Sequence, residues 1–301
     1  MKSIIRSLIC FALALVMVLS MTTGAGAASA GKSVAVSKKT AAGKTTKKSS
    51  KKSREVYQWK ISLDHSIKGS GIKKMKKYKL LVIDAQNYSA KEIKALKDAG
   101  HTVYSYLNIG SVESNRRYYN KFKSLRLKTY ENWEDEYWVD VSKSRWRNFV
   151  IKNLAASMVK KGVDGFWVDN TDVYEYNKKS RIYKGLVKIL TRLRKYDKDV
   201  VLNGGDQFVT PLIKNGKKKL IDGVVQEEVT TRITSYGGHG SFSSQRKDWQ
   251  HYYERYFKRV KKAGLSVGVL EYTRSSSKRS KIKSYCKKRK LNYCIASDLI
   301  I

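Results

Sequence analysis

From Tyr57 onward, short apolar runs alternate with longer stretches whose apolar residues recur three and four positions apart. The short runs predict strands over 57–63, 79–84, 102–108, 165–169, 200–203, 223–227, 266–271 and 292–296. The longer stretches predict helices over 90–99, 146–160, 183–196, 208–213, 249–263 and 281–290. Gly100, Gly162 and Gly264 stand where three of these helices should stop, and Ser89 is placed to cap the first. Eight strands alternating with helices over about 250 residues predict a (β/α)8 TIM barrel of the α/β class. A doubly wound open sheet is the alternative, but no Gly-rich dinucleotide fingerprint follows the first strand. Residues 110–141 are too long for a simple connection and should build a wall beside the barrel mouth.

The same pattern places the polar residues. The second strand ends at Asp84, the third at Asn108, and the fourth at Asp169-Asn170. The fifth ends at Asn203, the sixth at Glu227-Glu228, and the seventh at Glu271-Tyr272. One polar strand end is ordinary capping. Six in succession converge on a single rim, where barrel active sites are built. Carboxylates and carboxamides at such a rim suit sugar hydroxyls, and Tyr106, Trp138, Tyr174 and Tyr272 are the nearest aromatic candidates. Alternation puts Trp167 on the face of Asp169 and Tyr106 on that of Asn108, so Trp167 should fill the layer beneath Asp169. The sixth strand stays open: either Val225 and Glu227 face inward, or Val224, Gln226 and Glu228 do. Two carboxyl groups across one mouth are what glycoside hydrolysis commonly needs, one as acid and one as nucleophile or base. A Ser-His-Asp hydrolase is disfavoured, since no Gly-x-Ser-x-Gly elbow occurs.

Composition adds a front end and a charge. Lys2 and Arg6 precede the apolar run Leu8–Leu19, and small residues follow through Ala30, which predicts a secretory signal peptide over 1–30 and no membrane anchor after processing. Residues 31–54 are Lys, Ser, Thr, Ala and Gly-rich, without an acidic or aromatic residue, and predict a disordered basic linker. The barrel should then occupy 55–301. The formal charge is +38; eleven Lys/Arg and no Asp/Glu fall in residues 1–54, which leaves +27 for 55–301. Such a chain should be secreted or extracellular, with affinity for an anionic cell-wall polymer through the linker and the domain surface. No nucleic-acid recognition motif is present. Cys286 and Cys294 invite a disulfide in an oxidising compartment, though their spacing alone leaves bonded and free forms open. Four His, none in a familiar ligand spacing, give no ground for a metal site, and no cofactor motif occurs.

Several stretches together resemble glycoside hydrolase family 114, the endo-α-1,4-polygalactosaminidase-like barrels. They are Tyr57-Gln58-Trp59-Lys60-Ile61-Ser62, Val82-Ile83-Asp84, Val103 to Glu113 with Arg116, and Trp133-Glu134-Asp135-Glu136-Tyr137-Trp138-Val139-Asp140. Gly162 to Tyr174, Leu202-Asn203, Val224-Val225-Gln226-Glu227 and Glu271-Tyr272 complete the set. The resemblance implies a barrel that cleaves an α-linked, amino-sugar-containing polysaccharide. It implies Asp169 and Glu227 as the catalytic carboxylates, and Asp84, Glu113, Arg116, Asn203 and Glu271 as pocket residues. Tyr106, Asn108, Trp138, Asn170, Asp172 and Tyr272 join them as candidate substrate contacts. The family often carries Asn-Glu-Gln-Cys around the sixth-strand Glu; here it is Gln226-Glu227-Glu228-Val229, and the loop 230–246 is distinctive. A polycationic glycan would be repelled at long range by a +27 domain. That favours a neutral, N-acetylated or anionic glycan, unless the cleft itself is acidic and the charge serves attachment. Two other readings compete: a non-catalytic carbohydrate- or wall-binding barrel, and a basic protein that holds an anionic polymer.

Overall fold

The structure is a computed structural model that describes residues 56–131 and 133–299, within a compact unit spanning Ser53–Ile301. The expected signal peptide and basic linker lie outside the described residues. Eight strands run parallel in chain order: Lys60–Ser62, Leu80–Ile83, Thr102–Asn108, Gly165–Asp169, Asp199–Asn203, Gly223–Glu227, Ser266–Tyr272 and Asn292–Ala296. The first and last meet through a parallel bridge of Gln58 to Tyr293, where Trp59 N–H donates to the Tyr293 carbonyl at 2.9 Å. The sheet therefore closes, and the expected (β/α)8 barrel is the fold.

Alternation divides the apolar side chains into two layers. Trp59, Ile61, Val82, Tyr104, Tyr106, Trp167, Val225, Leu270 and Cys294 fill the barrel interior. Leu81, Val103, Phe166, Val168, Leu202, Val224 and Val269 face outward and pack beneath the helices. The helices earn their places by matching that layer. In Ser180–Leu193, Ile182, Leu186, Ile189, Leu190 and Leu193 are buried at three- and four-residue spacing. Ala90–Asp98 opens with a capping box, Glu92 N–H donating to Ser89 Oγ while Ser89 N–H donates to Glu92 Oε2 at 2.8 Å. The helix expected over 146–160 forms as Ser144–Phe149, a π turn over Val150–Ala155, and Ala156–Lys160.

The same two layers settle the cysteines. Cys286 is a buried residue of the helix Ser276–Arg289, in the layer outside the sheet, and Cys294 lies inside the barrel; both are free and buried. A disulfide would have to pass through the strand that separates them.

Two additions rise from the carboxyl ends of the strands. After the third strand, Ser111–Glu113, Arg126–Tyr130 and Trp133–Val139 form a small antiparallel sheet, with Glu113 opposite Glu136. After the sixth strand, Thr231–Ser235 and Ser241–Ser244 form a hairpin. Among the described residues no helix is long and apolar enough to cross a membrane.

Candidate active site

Asp169 ends the fourth strand, Asn203 the fifth and Glu227 the sixth. Val168 pairs with Leu202, and Leu202 with Val224, so these three ends lie close together on one rim. The sixth strand's open choice is decided by packing. Val225 is inside the barrel and Val224 outside, so Glu227, two residues beyond Val225, points into the mouth.

The Asn203 amide joins the two carboxylates. Its Nδ2 donates to Asp169 Oδ1 at 3.0 Å and to Glu227 Oε1 at 2.7 Å. Two N–H bonds of one amide diverge by roughly 120°, which sets those oxygens about 5 Å apart. The Tyr272 hydroxyl donates to the other Glu227 oxygen, Oε2, at 2.6 Å. Beyond Asp169 the chain turns sharply. Asn170 takes a left-handed φ of 64°, and its carbonyl approaches Gly110 so closely that a Cβ there would lie 1.7 Å from the oxygen. Gly110 thus permits the tight junction between the fourth strand end and the inserted sheet.

These groups open into a cleft of about 550 Å³. Its carboxyls are Glu113, Asp135, Glu136, Asp169, Asp172, Glu227 and Glu228, and no Lys, Arg or His lines it. Burial is the largest cause of the raised titration of Glu136, Asp169, Asp172, Glu227 and Glu228, and neighbouring carboxylates add to it. Burial, with Glu227 adding, pushes Asp169 up to about 7, although the Asn203 hydrogen bond opposes the shift. Glu227 is likewise raised by burial, against the Tyr272 and Asn203 hydrogen bonds. Burial lifts Glu136 to about 7, Glu228 to about 7 and Asp172 to about 8.

Other expected residues sort by where their side chains end. Tyr106, Glu113, Asn170, Asp172, Asn203 and Tyr272 line the cleft with the carboxylate pair. Asp84 and Arg116 do not: Arg116 ion-pairs with Asp84 and holds Glu113 through Nε at 2.5 Å, so the guanidinium is spent on fixing Glu113 in the wall. Asn108 is also set back. Its Nδ2 donates to Glu136 Oε1 at 2.9 Å and its Oδ1 accepts from Ser111 N–H at 3.0 Å, which pins the inserted sheet to the barrel.

Glu271 and Trp138 depart from expectation. Glu271 follows Leu270, an interior residue, so it points outward. Its carboxylate accepts from the N–H groups of Thr230 and Thr231 and from Thr231 Oγ1 at 2.7 Å, which anchors the hairpin and not a ligand. Trp138 is 3% exposed, stacks on Tyr176 with centroids 5.7 Å apart, and donates through Nε1 to Glu131. Tyr174, weighed as an aromatic candidate, packs against Tyr183 and Phe208 away from the cleft. Trp167 is almost wholly buried, as expected of a floor residue, and its upper side forms the base of the cleft.

The cleft also holds groups that strand ends did not reveal. Glu136 and Asp135 come from the inserted sheet; Glu228, named with Glu227 at the sixth strand end, is a left-handed residue just past that strand, with φ of 57°. Glu228 accepts from the Ile233 N–H and so ties the hairpin to the mouth. Trp133 from the sheet and Tyr236 from the hairpin meet edge to face across the cleft, centroids 5.8 Å apart. Trp133 is 38% exposed, one of few large apolar side chains so exposed. A charged, alternating strand with an exposed Trp was the available signal for this wall.

The model of the Glycoside-hydrolase family GH114 matches residues 38–296 of the chain. No curated protein sequence matches it. Among solved structures, the glycoside hydrolase domain of PelA from Pseudomonas aeruginosa superposes with a TM-score of 0.67 at 14% identity, covering 82% of this chain and 96% of that one. Aspergillus fumigatus Ega3, in complex with galactosamine, gives a TM-score of 0.61 at 17% identity, covering 80% and 90%. The α-galactosidase TtGalA from Thermus thermophilus gives 0.51 at 13% identity, covering 82% and 58%. At these identities the likeness is one of fold.

Proposed function

The chain belongs to glycoside hydrolase family GH114 and is a glycoside hydrolase, and on that premise we propose that it cleaves an α-linked, amino-sugar-containing polysaccharide with Asp169 and Glu227 as its reacting carboxylates. One observation carries the proposal: a single amide, Asn203, is hydrogen-bonded to both carboxylates at the mouth of the barrel. A separation of about 5 Å suits an acid and a nucleophile that form and then hydrolyse a glycosyl-enzyme, with retention at the anomeric carbon; inversion needs roughly 6.5–9.5 Å to admit water. Burial raises both carboxyls, and Glu227 adds to the rise at Asp169, which favours one proton held between them. One member is then protonated to give its hydrogen to the leaving oxygen, while its partner is ionised for attack.

The acid lining supports the substrate class. A protonated sugar amine would enter a cleft lined by carboxyls with no cationic residue; burial keeps several of them partly protonated near neutrality, so the attraction that offsets the net charge strengthens as pH rises through about 7 to 8. The galactosamine bound by the structural relative Ega3 agrees with this reading. With residues 1–30 as an export signal and 31–54 as a basic spacer, the barrel would act outside the cell.

The test uses an α-1,4-linked galactosamine polymer. Wild-type protein should release oligosaccharides, and proton NMR should show the α anomer first. Asp169→Asn and Glu227→Gln should each lose at least about 10²-fold in rate while melting at or above the wild-type temperature. Full activity in either variant, or initial release of the β anomer, overturns the assignment.

A further inference from the structure

The cleft and the opposite end of the barrel differ in charge. At the mouth, the cleft is lined by carboxyls alone among charged groups. At the other end, where each helix turns back into the next strand, exposed lysines recur. Lys76 precedes the second strand, Lys217 and Lys219 the sixth, and Lys287 and Lys288 the eighth. A parallel barrel puts all of these turns on one face, opposite the mouth.

The turns also touch. Lys218 Nζ donates to the Ala263 carbonyl at 2.9 Å, linking the turns ahead of the sixth and seventh strands. Lys261 Nζ donates to the Arg289 carbonyl at 2.5 Å, linking those ahead of the seventh and eighth. The turns ahead of the sixth, seventh and eighth strands therefore adjoin one another.

Helix dipoles explain only part of them. One or two cations in a last turn complement a helix C-terminus, as Lys287 and Lys288 do in Ser276–Arg289, but Lys217 and Lys219 lie beyond the helix Asp206–Lys214, and Lys76 follows a helix of one turn. Local acids do not neutralise them either. On this face Asp164 pairs with Lys97 at 2.7 Å and Asp222 with Arg194 at 2.5 Å, and Asp199 accepts from Tyr104. Asp197 alone stands exposed without a partner of that kind. None of the five named lysines makes an ion pair among the described residues.

We propose that this face, opposite the cleft, binds a flexible polyanion with repeating phosphodiester charges, of the poly(glycerol phosphate) type. The choice among polyanions follows from the side chains. They are almost all lysine, a hydrated point charge that follows a mobile phosphate chain and lacks the planar fork of arginine. The well-exposed aromatics Trp133, Tyr176 and Trp249 lie elsewhere, so no stacking platform for bases accompanies the charge. The acidic cleft would repel the same polymer, which leaves it open to a cationic substrate while the opposite face is held. The proposal goes beyond the glycosidase reading and does not depend on it.

The full chain is titrated with immobilised poly(glycerol phosphate) over a series of NaCl concentrations, with double-stranded DNA in parallel. The variant carries Lys217→Gln, Lys219→Gln, Lys287→Gln and Lys288→Gln, changes that leave the buried packing intact; a second variant has the lysines of 31–54 changed to Gln. Expected are tight binding at low salt, a steep log–log decline with salt, and at least tenfold weaker binding of the four-site variant with a slope reduced by about two to four. Its melting temperature and its hydrolysis of a soluble substrate should match wild type. Undiminished binding by the four-site variant overturns the proposal, as does complete loss in the 31–54 variant, which would assign the polymer to that segment. DNA bound more tightly than poly(glycerol phosphate) overturns it in favour of nucleic acid.

Discussion

Replacing Asn203 by Ala gives the sharpest test of the site, because it removes the one group that touches both carboxylates. The lost contacts are Nδ2 to Asp169 at 3.0 Å and to Glu227 at 2.7 Å. A hydrogen bond to a charged group contributes about 1.5–3 kcal/mol. Each contact favours the ionised carboxylate and opposes the upward shift that burial imposes. At 1.36 kcal/mol per pH unit, losing one raises the ionisation of its partner by about one to two units. The pair must lose one proton before it can attack, so the acidic limb of the kcat/KM profile should move up by that amount. Activity at pH 5 should then fall by about 10- to 100-fold, and activity above neutrality should fall less. The assay is reducing-sugar release from pH 4 to 9, with a thermal melt to show an intact fold. A uniform loss at every pH would mean that Asn203 only positions substrate. An unshifted profile with full activity would refute the bridging role.

Three further outcomes follow from the same geometry. Trp133→Ala should raise KM about 2- to 10-fold with kcat within about twofold, because stacking contributes roughly 0.5–1.5 kcal/mol; steady-state kinetics on a long oligosaccharide checks this. Asp172 is held near 8 by burial, above its value of 3.8 in an unfolded chain. The native state therefore binds the extra proton between those limits, and stability falls as pH rises through that window. Asp172→Asn removes the penalty and should melt above wild type at pH 8.5, with the gap closing towards pH 4; an equal gap at both pH values would contradict the sign. Glu271→Ala strands the buried N–H groups of Thr230 and Thr231 and should destabilise the protein by about 2–4 kcal/mol, read as a lower melting temperature in differential scanning fluorimetry.

The barrel was legible in the sequence because each strand is a short apolar run ending in a polar residue. Tertiary packing had little to override: the fourth and sixth strands form over the residues their patterns predict. The carboxylate at the end of the fourth strand was legible for the same reason. Alternation also carried information that went unused. Glu271 and Tyr272 are adjacent in one strand, so only one of them can face the mouth. Tyr272 reaches Glu227 and Glu271 holds the hairpin. The inserted sheet was not legible. Its pairing of Glu113 with Glu136 spans residues whose charges and irregular register hide the strand pattern, so Glu136 could not be placed and Trp138 was taken for a substrate contact.

Charge misled for a different reason. A formal +38 is a sum over the chain and carries no position. A ligand responds to the nearest charges, since those beyond roughly 8–10 Å are screened at physiological salt. In this barrel the sum divides by strand polarity. Polar residues that end strands gather at the mouth, and lysines that precede strands gather at the opposite face. In a parallel barrel, a residue's place before or after its strand fixes which end it serves. Net charge read against strand boundaries predicts an acidic cleft with a basic back, where net charge alone predicts repulsion of a cationic glycan. The distinction is measurable. If the local field governs, raising NaCl from 50 to 300 mM at pH 8.5 should raise KM for the galactosamine polymer, as the attraction of the cleft's ionised carboxyls is screened. If the overall +27 governs, the same salt should lower KM.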